Sequence, residues 1–255
     1  VIRGIYSGAY GMNVLQLKME VMSNNLANIN TNGFKNEQIV AKSFNEQLMN
    51  LMDERKGRTY FRPVGLISQG AVVDEVSTDF SQGTLEETGL DTDFAISGNG
   101  FFTVETPEGI YYTRDGSFAL DNYGYLVSSQ GYTLLGQAGP VEIGQGNSFT
   151  VDKDGVIYVN GEEKDRLLIT DFINSQQLEK VGDNYYRADR ETELQSFDAE
   201  NYQIRQGFLE RSNTDLVKEL TNMLTVARAY ETNQKLIQVQ DELLGKAVNN
   251  VGVVK

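Results

Sequence analysis

With neither histidine nor cysteine in its 255 residues, the chain leaves side-chain chemistry to its carboxylates, several of which come in adjacent pairs. Glu86-Glu87, Glu162-Glu163 and Asp74-Glu75 each offer the two groups that glycoside hydrolysis needs, one to donate a proton and one to act as base or nucleophile. Each pair is flanked by turn-like or surface-like sequence, where solvated acids are the ordinary occupants. Triads, imidazole zinc sites and thiol nucleophiles are excluded by composition alone. Tryptophan is also absent, so stacking a sugar ring would fall to the 13 tyrosines, whose spacing fits sheet packing better.

Two loops imitate ligand sites and fail on inspection. Gly98-Asn99-Gly100 leads into Phe101, Phe102 and Val104, a strand, and not into the helix N-terminus that a phosphate loop requires. Asp152-Lys153-Asp154-Gly155 opens like a calcium loop, and Glu163 holds its twelfth position. Val156, however, stands at the fifth position, where oxygen is needed, and Ile157 at the sixth, where glycine makes the sharp turn. A hairpin turn is expected there. No catalytic residue, cofactor or metal ligand is assigned.

The elements that carry these residues are of two kinds. From Ile5 to Ile29 the residues Ile5, Gly8, Met12, Leu15, Met19, Met22, Leu26 and Ile29 recur at steps of three and four, which predicts one amphipathic helix with a heptad-like seam. Val14, Leu17 and Val21 lie off that seam and widen the apolar surface. A second helix is expected near the C-terminus, with Leu216, Leu220, Met223, Ala227, Tyr230, Ile237, Leu244 and Val248 on one stripe, broken by Gln234 and Asp241. Val217, Leu224, Leu236 and Leu243 form a strip beside it. Ser212 and Asn213 are expected as its N-cap residues, and Asn249, Asn250 and Gly252 as its end.

Between the helices, short β-branched and aromatic runs alternate with glycine-bearing turns. Strands are predicted at 101–105, 111–113, 117–120, 125–127, 132–135, 148–151, 156–159 and 167–171, joined as antiparallel hairpins. The stretch 31–91 is less regular; 42–53 reads as a short helix and 58–82 as extended. The resulting fold class is α+β: terminal helices that pair as a coiled coil around a central antiparallel β-rich domain. The expected segments are an N-terminal helix at 1–32, a connecting arm at 33–82, the β-rich domain at 83–207 and a C-terminal helix at 208–255.

Asp and Glu outnumber Lys and Arg by 36 to 22, a formal charge of -14, so nucleic acid is not an expected partner. No stretch approaches the roughly 20 apolar residues of a membrane span, and no cleavable leader is expected. An apolar face at helical spacing is most often the core of its own domain, and that alternative, a monomeric binding module, stays open here. Weighing toward assembly are the position of both helices at the chain ends, their matched heptad character, and more apolar faces than two helices can hide. Each large side chain left exposed forgoes about 1.5–3 kcal/mol.

Three motifs carry a resemblance. Ser23-Asn24-Asn25-Leu26-Ala27-Asn28-Ile29-Asn30-Thr31-Asn32-Gly33-Phe34-Lys35 resembles the N-terminal signature of the bacterial flagellar rod and hook family. Leu209-Glu210-Arg211-Ser212-Asn213-Thr214-Asp215, with Glu219-Leu220, Met223 and 227–233, is similar to that family's C-terminal signature; Thr214 stands where the family commonly has valine. Residues 93–104 and 112–118 resemble the opening of its central β-domain.

The resemblance implies a non-enzymatic subunit of the basal-body rod, proximal or distal, more than the longer hook protein. It implies polymerisation with itself and with other rod and hook subunits, and export by the flagellar type III apparatus into the cell envelope. In that reading Met12, Leu15, Met19, Met22, Leu26 and Ile29, with the C-terminal stripe, make the assembly helices. Asn24, Asn25, Ala27, Asn28, Thr31, Gly33 and Phe34 mark the motif, with Gly33 as stop for the first helix and Asn28 and Thr31 satisfying backbone groups freed there. A carboxylate-dependent peptidoglycan glycosidase is the alternative from another class.

Overall fold

The computed structural model describes residues 2–43, 47–55, 58–67, 71–182, 184–189, 196–198 and 201–251. Helix α1 covers Ile2–Ala27 and helix α2 covers Leu216–Val251, with the strands between them. The chain separates into two compact units. One comprises Val1–Asn24, Glu37–Ser77 and Val217–Lys255; the other, the body, comprises Asn25–Asn36 and Thr78–Leu216.

In the first unit, α2 is built from leucine, glutamine, lysine, glutamate and alanine, strong helix formers, at about 1.5 Å per residue over 36 residues. Thr221, Thr225 and Thr232 turn their hydroxyls onto the carbonyls of Val217, Thr221 and Arg228 one turn back, at 2.8–2.9 Å. Its half-buried residues include Met223, Val226, Tyr230, Asn233, Ile237, Gln240 and Leu244, at alternating steps of three and four, with Ala227 and Ala229 beside them. Asn233 and Gln240 thus fill the positions where the predicted stripe ran through Gln234 and Asp241. Helix α1 is interrupted by Gly4, Gly8 and Gly11, each weaker in a helix than alanine by about 1 kcal/mol. Side chains of α2 lie over them: an added methyl would meet Gln240 at 2.6 Å from position 4, Ile237 at 3.0 Å from position 8 and Asn233 at 3.6 Å from position 11. As one helix advances the other recedes, so the two run side by side in opposite directions over this stretch.

The same unit holds two ribbons. Strand β1 (Glu37–Ser43) pairs with β4 (Ala71–Thr78), and β2 (Gln47–Arg55) pairs antiparallel with β3 (Arg58–Ile67), from Gln47 opposite Ile67 to Arg55 opposite Arg58. The helix expected at 42–53 is therefore replaced by the end of β1 and by β2, with residues 44–46 outside the described set. Leucine, methionine and glutamine favour a helix locally, but a nine-pair ladder overrides that weak preference.

The body is antiparallel throughout. Its strands are β5 (Leu85–Glu87), β6 (Phe94–Gly98), β7 (Phe101–Thr106), β8 (Gly109–Thr113), β9 (Phe118–Leu120), β10 (Leu126–Ser128), β11 (Thr133–Gly136), β12 (Gly139–Pro140), β13 (Phe149–Val151), β14 (Val156–Val159), β15 (Glu162–Arg166) and β16 (Ile169–Phe172). After them come β17 (Glu179–Val181), β18 (Tyr185–Arg187), β19 (Ser196–Asp198), β20 (Tyr202–Gln206) and β21 (Phe208–Glu210). The main sheet runs β17-β18-β8-β7-β11-β10-β9, with β12 on β11, β16 on β7 and β19 on β16; β13-β14-β15 form a second sheet. Each of the eight predicted strands has its counterpart, displaced by at most two residues. The end strands return to the beginning: β20 pairs with β6, Ile204 opposite Ile96, and β21 with β5, Leu209 opposite Glu86.

Strand β7 is buried on both faces. Phe102 and Val104 enter the main core with Phe94, Leu126, Leu134 and Ile157, while Phe101 joins Tyr112, Phe172, Leu178 and Tyr186 on the other side. Between the latter rings, edge-on contacts such as Tyr112 to Phe172, with centroids 4.8 Å apart, replace the close alternation of small side chains.

Candidate functional site

In the body, the segment after α1 and the segment before α2 are drawn onto the same part of the sheet. Lys35 and Glu210 are fully buried, and Arg114 nearly so. Lys35 Nζ meets Glu210 Oε1 at 2.7 Å and the Ser81 carbonyl at 2.7 Å. Arg114 Nη1 reaches Glu210 Oε2 at 3.4 Å, and its Nη2 donates to the Gly98 carbonyl at 2.9 Å. The Gly83 amide donates to Glu210 Oε1 at 2.8 Å, and the Gly33 amide to the Glu210 carbonyl at 2.8 Å. The Arg114 guanidinium also lies 5.3 Å from the Phe101 ring centre.

Two cations thus share one carboxylate out of reach of water. Burial pushes the Lys35 ammonium below its usual range, against Glu210, which holds it up, while the charge of Arg114 lowers it further. Burial lowers the Arg114 guanidinium as well, again opposed by Glu210. Nearby, burial raises the Asp115 carboxyl, countered by hydrogen bonds from Ser117 and Asn184.

Because the folded state releases the Lys35 proton before the unfolded state does, the unfolded chain binds more protons between the lowered value and the ordinary 10.5. Stability contributed by Lys35 therefore rises with pH across that window and is level below it. Urea denaturation of the intact chain and of Lys35→Met between pH 7 and pH 10 checks this: the stability of the intact chain relative to the variant should climb toward the alkaline end.

Around the charges, the two segments are stitched by polar side chains. Asn213 Oδ1 accepts from the Asn36 amide at 2.8 Å, and its Nδ2 donates to the carbonyls of Asp79 at 2.8 Å and Ser81 at 3.2 Å. Arg211 donates to Asn32 Oδ1 at 3.1 Å and pairs with Glu86. Asn184 Nδ2 donates to Asp115 Oδ2 at 2.9 Å. Phe34 is fully buried under the Lys180 ammonium, 4.3 Å from its ring centre.

Gly33 makes the tightest approach. Its φ is +67°, and a methyl group there would lie 2.2 Å from the Asp115 amide nitrogen. Gly33→Ala is expected to lower the unfolding free energy by more than the roughly 1–2 kcal/mol of left-handed strain alone, since backbone has to move. The midpoint of a urea titration followed by tyrosine fluorescence reads that loss.

Three family models match the chain. "Flagella basal body rod protein" covers residues 5–35, "Flagellar hook protein FlgE/F/G D1 domain" covers 95–159, and "Flagellar basal body rod FlgEFG protein C-terminal" covers 205–250. The rod protein FlgG of Bacillus subtilis is 34% identical over 98% of this chain and 99% of its own length. The FlgG protein of Borreliella burgdorferi is 34% identical over 98% of both, and the rod protein FlgF of Caulobacter vibrioides 31% over 98% of both. The chain belongs to the flagellar rod and hook family. It is a structural basal-body rod protein of the FlgF/FlgG type, not an enzyme.

Each charge of the buried cluster falls within a different one of the three family matches: Lys35 in the first, Arg114 in the second, Glu210 in the third. The sequence motifs of the rod family contain all three, but nothing in their spacing relates positions 175 apart. The available signal was a charged residue set against apolar neighbours, Lys35 after Phe34 and Glu210 after Leu209.

The other motif residues of the rod family are placed as follows. Asn25 is buried, Asn28 and Thr31 bond each other at 2.9 Å, and Asn24 and Ala27 are exposed. Helix α1 ends at Ala27, six residues before Gly33, so Gly33 serves the approach to Asp115 and not the helix stop expected of it. Ile29 consequently lies beyond the helix. Met12, Leu15, Met19, Met22, Leu26 and Ile29 are half-buried, whereas Val14, read as off the seam, is buried.

On α2, Met223, Ala227, Tyr230, Ile237 and Leu244 are half-buried, but Leu216 and Leu220 are 46% and 42% exposed. The capping expected of Ser212 and Asn213 is also corrected. The helix starts at Leu216, after Asp215, and their side chains are turned to Thr214 and to Asn36, Asp79 and Ser81. Nor do Asn249 and Asn250 end α2, which continues to Val251.

The acid pairs are dispersed. Glu86 is taken by Arg211, Glu162 and Glu163 stand exposed on the edge strand β15, and Glu75 is exposed on β4. The stretch 152–155 is the hairpin turn between β13 and β14, closed by Gly155 donating to the Asp152 carbonyl at 2.8 Å.

Proposed function

We propose that this chain polymerises, with copies of itself and with other rod and hook subunits, into the axial shaft that carries motor torque in flagellum-dependent motility. One observation carries the reading beyond family membership. Val217, Leu224, Leu236 and Leu243, the strip beside the α2 stripe, are 46–73% exposed in the single chain, which leaves a long apolar face in water.

In this reading α1 and α2 supercoil with the helices of neighbouring copies as an inner layer, and the β-rich body forms the outer one. Met12, Leu15, Met19, Met22, Leu26 and Ile29 with Leu216, Leu220, Met223, Ala227, Tyr230, Ile237 and Leu244 are the assembly positions. The segments 1–32 and 208–255 act as the inner-layer segments that carry the two helices, 33–82 as the connecting arm and 83–207 as the β-rich outer part. The subunit reaches the cell envelope through the flagellar type III apparatus. No helix among the described residues is long and apolar enough to cross a membrane.

The test is to locate an epitope-tagged copy in purified basal bodies by electron microscopy, alongside a deletion strain. Label along the rod and loss of rods on deletion are expected. Label elsewhere, or intact rods with undigested peptidoglycan, would reject the reading in favour of another class.

A further inference from the structure

About half of the body's strand pairings join strands that follow one another in sequence: β7 with β8, β9 with β10, β10 with β11, β11 with β12, β13 with β14, β14 with β15, and β17 with β18. Closing such short loops costs little chain entropy. Of the remaining pairings, β7 with β11 and β16, β8 with β18 and β16 with β19 reach further along the chain, and the outer two reach furthest. β5 with β21 and β6 with β20 bring the two ends of the body together, and the Lys35–Glu210 contact spans 175 positions.

Charge sharpens the contrast. Burying Lys35 and Arg114 before Glu210 arrives removes two cations from water with only the Ser81 and Gly98 carbonyls and the Phe101 ring to offset it and no counter-charge, and burying Glu210 alone is no better. A half-formed cluster is worse than none, so the three charges enter together or stay solvated. The carboxylate also supplies the acceptor for the Gly83 amide, and its backbone the acceptor for Gly33, so these bonds wait on the same event.

We propose that the Lys35–Arg114–Glu210 cluster is an order lock, whose closure is the final step in folding the body. Until the segment around Glu210 docks, β5 and β6 lack their partner strands and the segment 25–36 lacks its bonds from Gly33 and Lys35 to Glu210. A chain that emerges N-terminus first cannot finish its body while Glu210 is still to come, so folding of the body is made conditional on the chain having reached Glu210.

Pulsed hydrogen exchange during refolding of the full chain, read at single residues, tests the order. A brief unfolding pulse keeps the proline isomers native and removes their slow phase. The Gly33 and Gly83 amides are expected to gain protection in a phase at least about ten-fold slower than the amides of the β7–β8 ladder. In Glu210→Gln, unfolding should accelerate at least about 150-fold while the early refolding phase changes less than about two-fold.

Protection of Gly33 and Gly83 together with β7–β8, or before it, overturns the proposal. So does a Glu210→Gln variant whose early refolding slows by the whole factor of its destabilisation. Should that variant not fold, the exchange order in the unaltered chain decides alone. Asn213→Ala, which releases Asn36, Asp79 and Ser81, then supplies the kinetic split.

Discussion

Glu210→Gln is expected to lower the stability of the body by about 3–5 kcal/mol, the loss typical when one partner of a buried charge set is removed. Glutamine keeps the shape and can still accept from the Gly83 amide, so the loss isolates charge from packing. Two cations then remain in a site nearly without water contact. Lys35 has an escape, since it can release its proton; Arg114 has none, because guanidinium keeps its charge at any pH a protein survives. Raising the pH should therefore rescue the variant only in part. Glu86→Gln is the control. Its contact with Arg211 lies at the solvent-exposed surface, where ion pairs contribute little, and the urea midpoint should barely move.

The second large effect concerns assembly, not folding. Leu220→Asp and Leu224→Asp place a carboxylate on α2 positions that are 42% and 62% exposed, so the isolated chain should unfold at nearly its original midpoint. In a polymer those positions are covered. A desolvated charge replacing a leucine forgoes about 1.5–3 kcal/mol of burial and adds its own desolvation cost, repeated in every copy. No rods and no swimming are expected from either strain. Met22→Asp on α1 should fail likewise, with some loss of stability because Met22 is half-buried in the single chain. Swimming on soft agar by strains whose variant protein accumulates normally would contradict the shaft.

How far the sequence could be read follows the physics of each element. The strands β7 to β11, β13, β14 and β16 announce themselves, because aromatic and β-branched runs alternate with glycine turns, and hairpins between neighbours need no distant information. Strand β15 does not: Glu162-Glu163-Lys164-Asp165-Arg166 has no apolar face, and its conformation is fixed by the Asn160-Gly161 turn and the ladder to β14. β2 was hidden by the opposite fault, a composition suited to helix. The motif residues were visible as a family signature, yet what Lys35, Arg114 and Glu210 do together was not. Their meeting depends on β21 returning to β5, a pairing between remote segments that local pattern does not encode. The α2 stripe was legible in its hydrophobic members and misplaced by one residue at Asn233 and Gln240, because polar residues were taken as breaks when they belong to the covered face.

The glycines of α1 bear on how load passes between two rods of backbone. Gln240, Ile237 and Asn233 act as pegs, and positions 4, 8 and 11 as the slots that receive them. Sliding one helix along the other by a fraction of a turn would drive these pegs onto the side chains between the slots, whereas a whole turn would set Gln240 over Gly8 and Ile237 near Gly11 and carry only Asn233 past the last glycine. The pair therefore resists small slips by shape in addition to adhesion, and its register is graduated in steps of one turn.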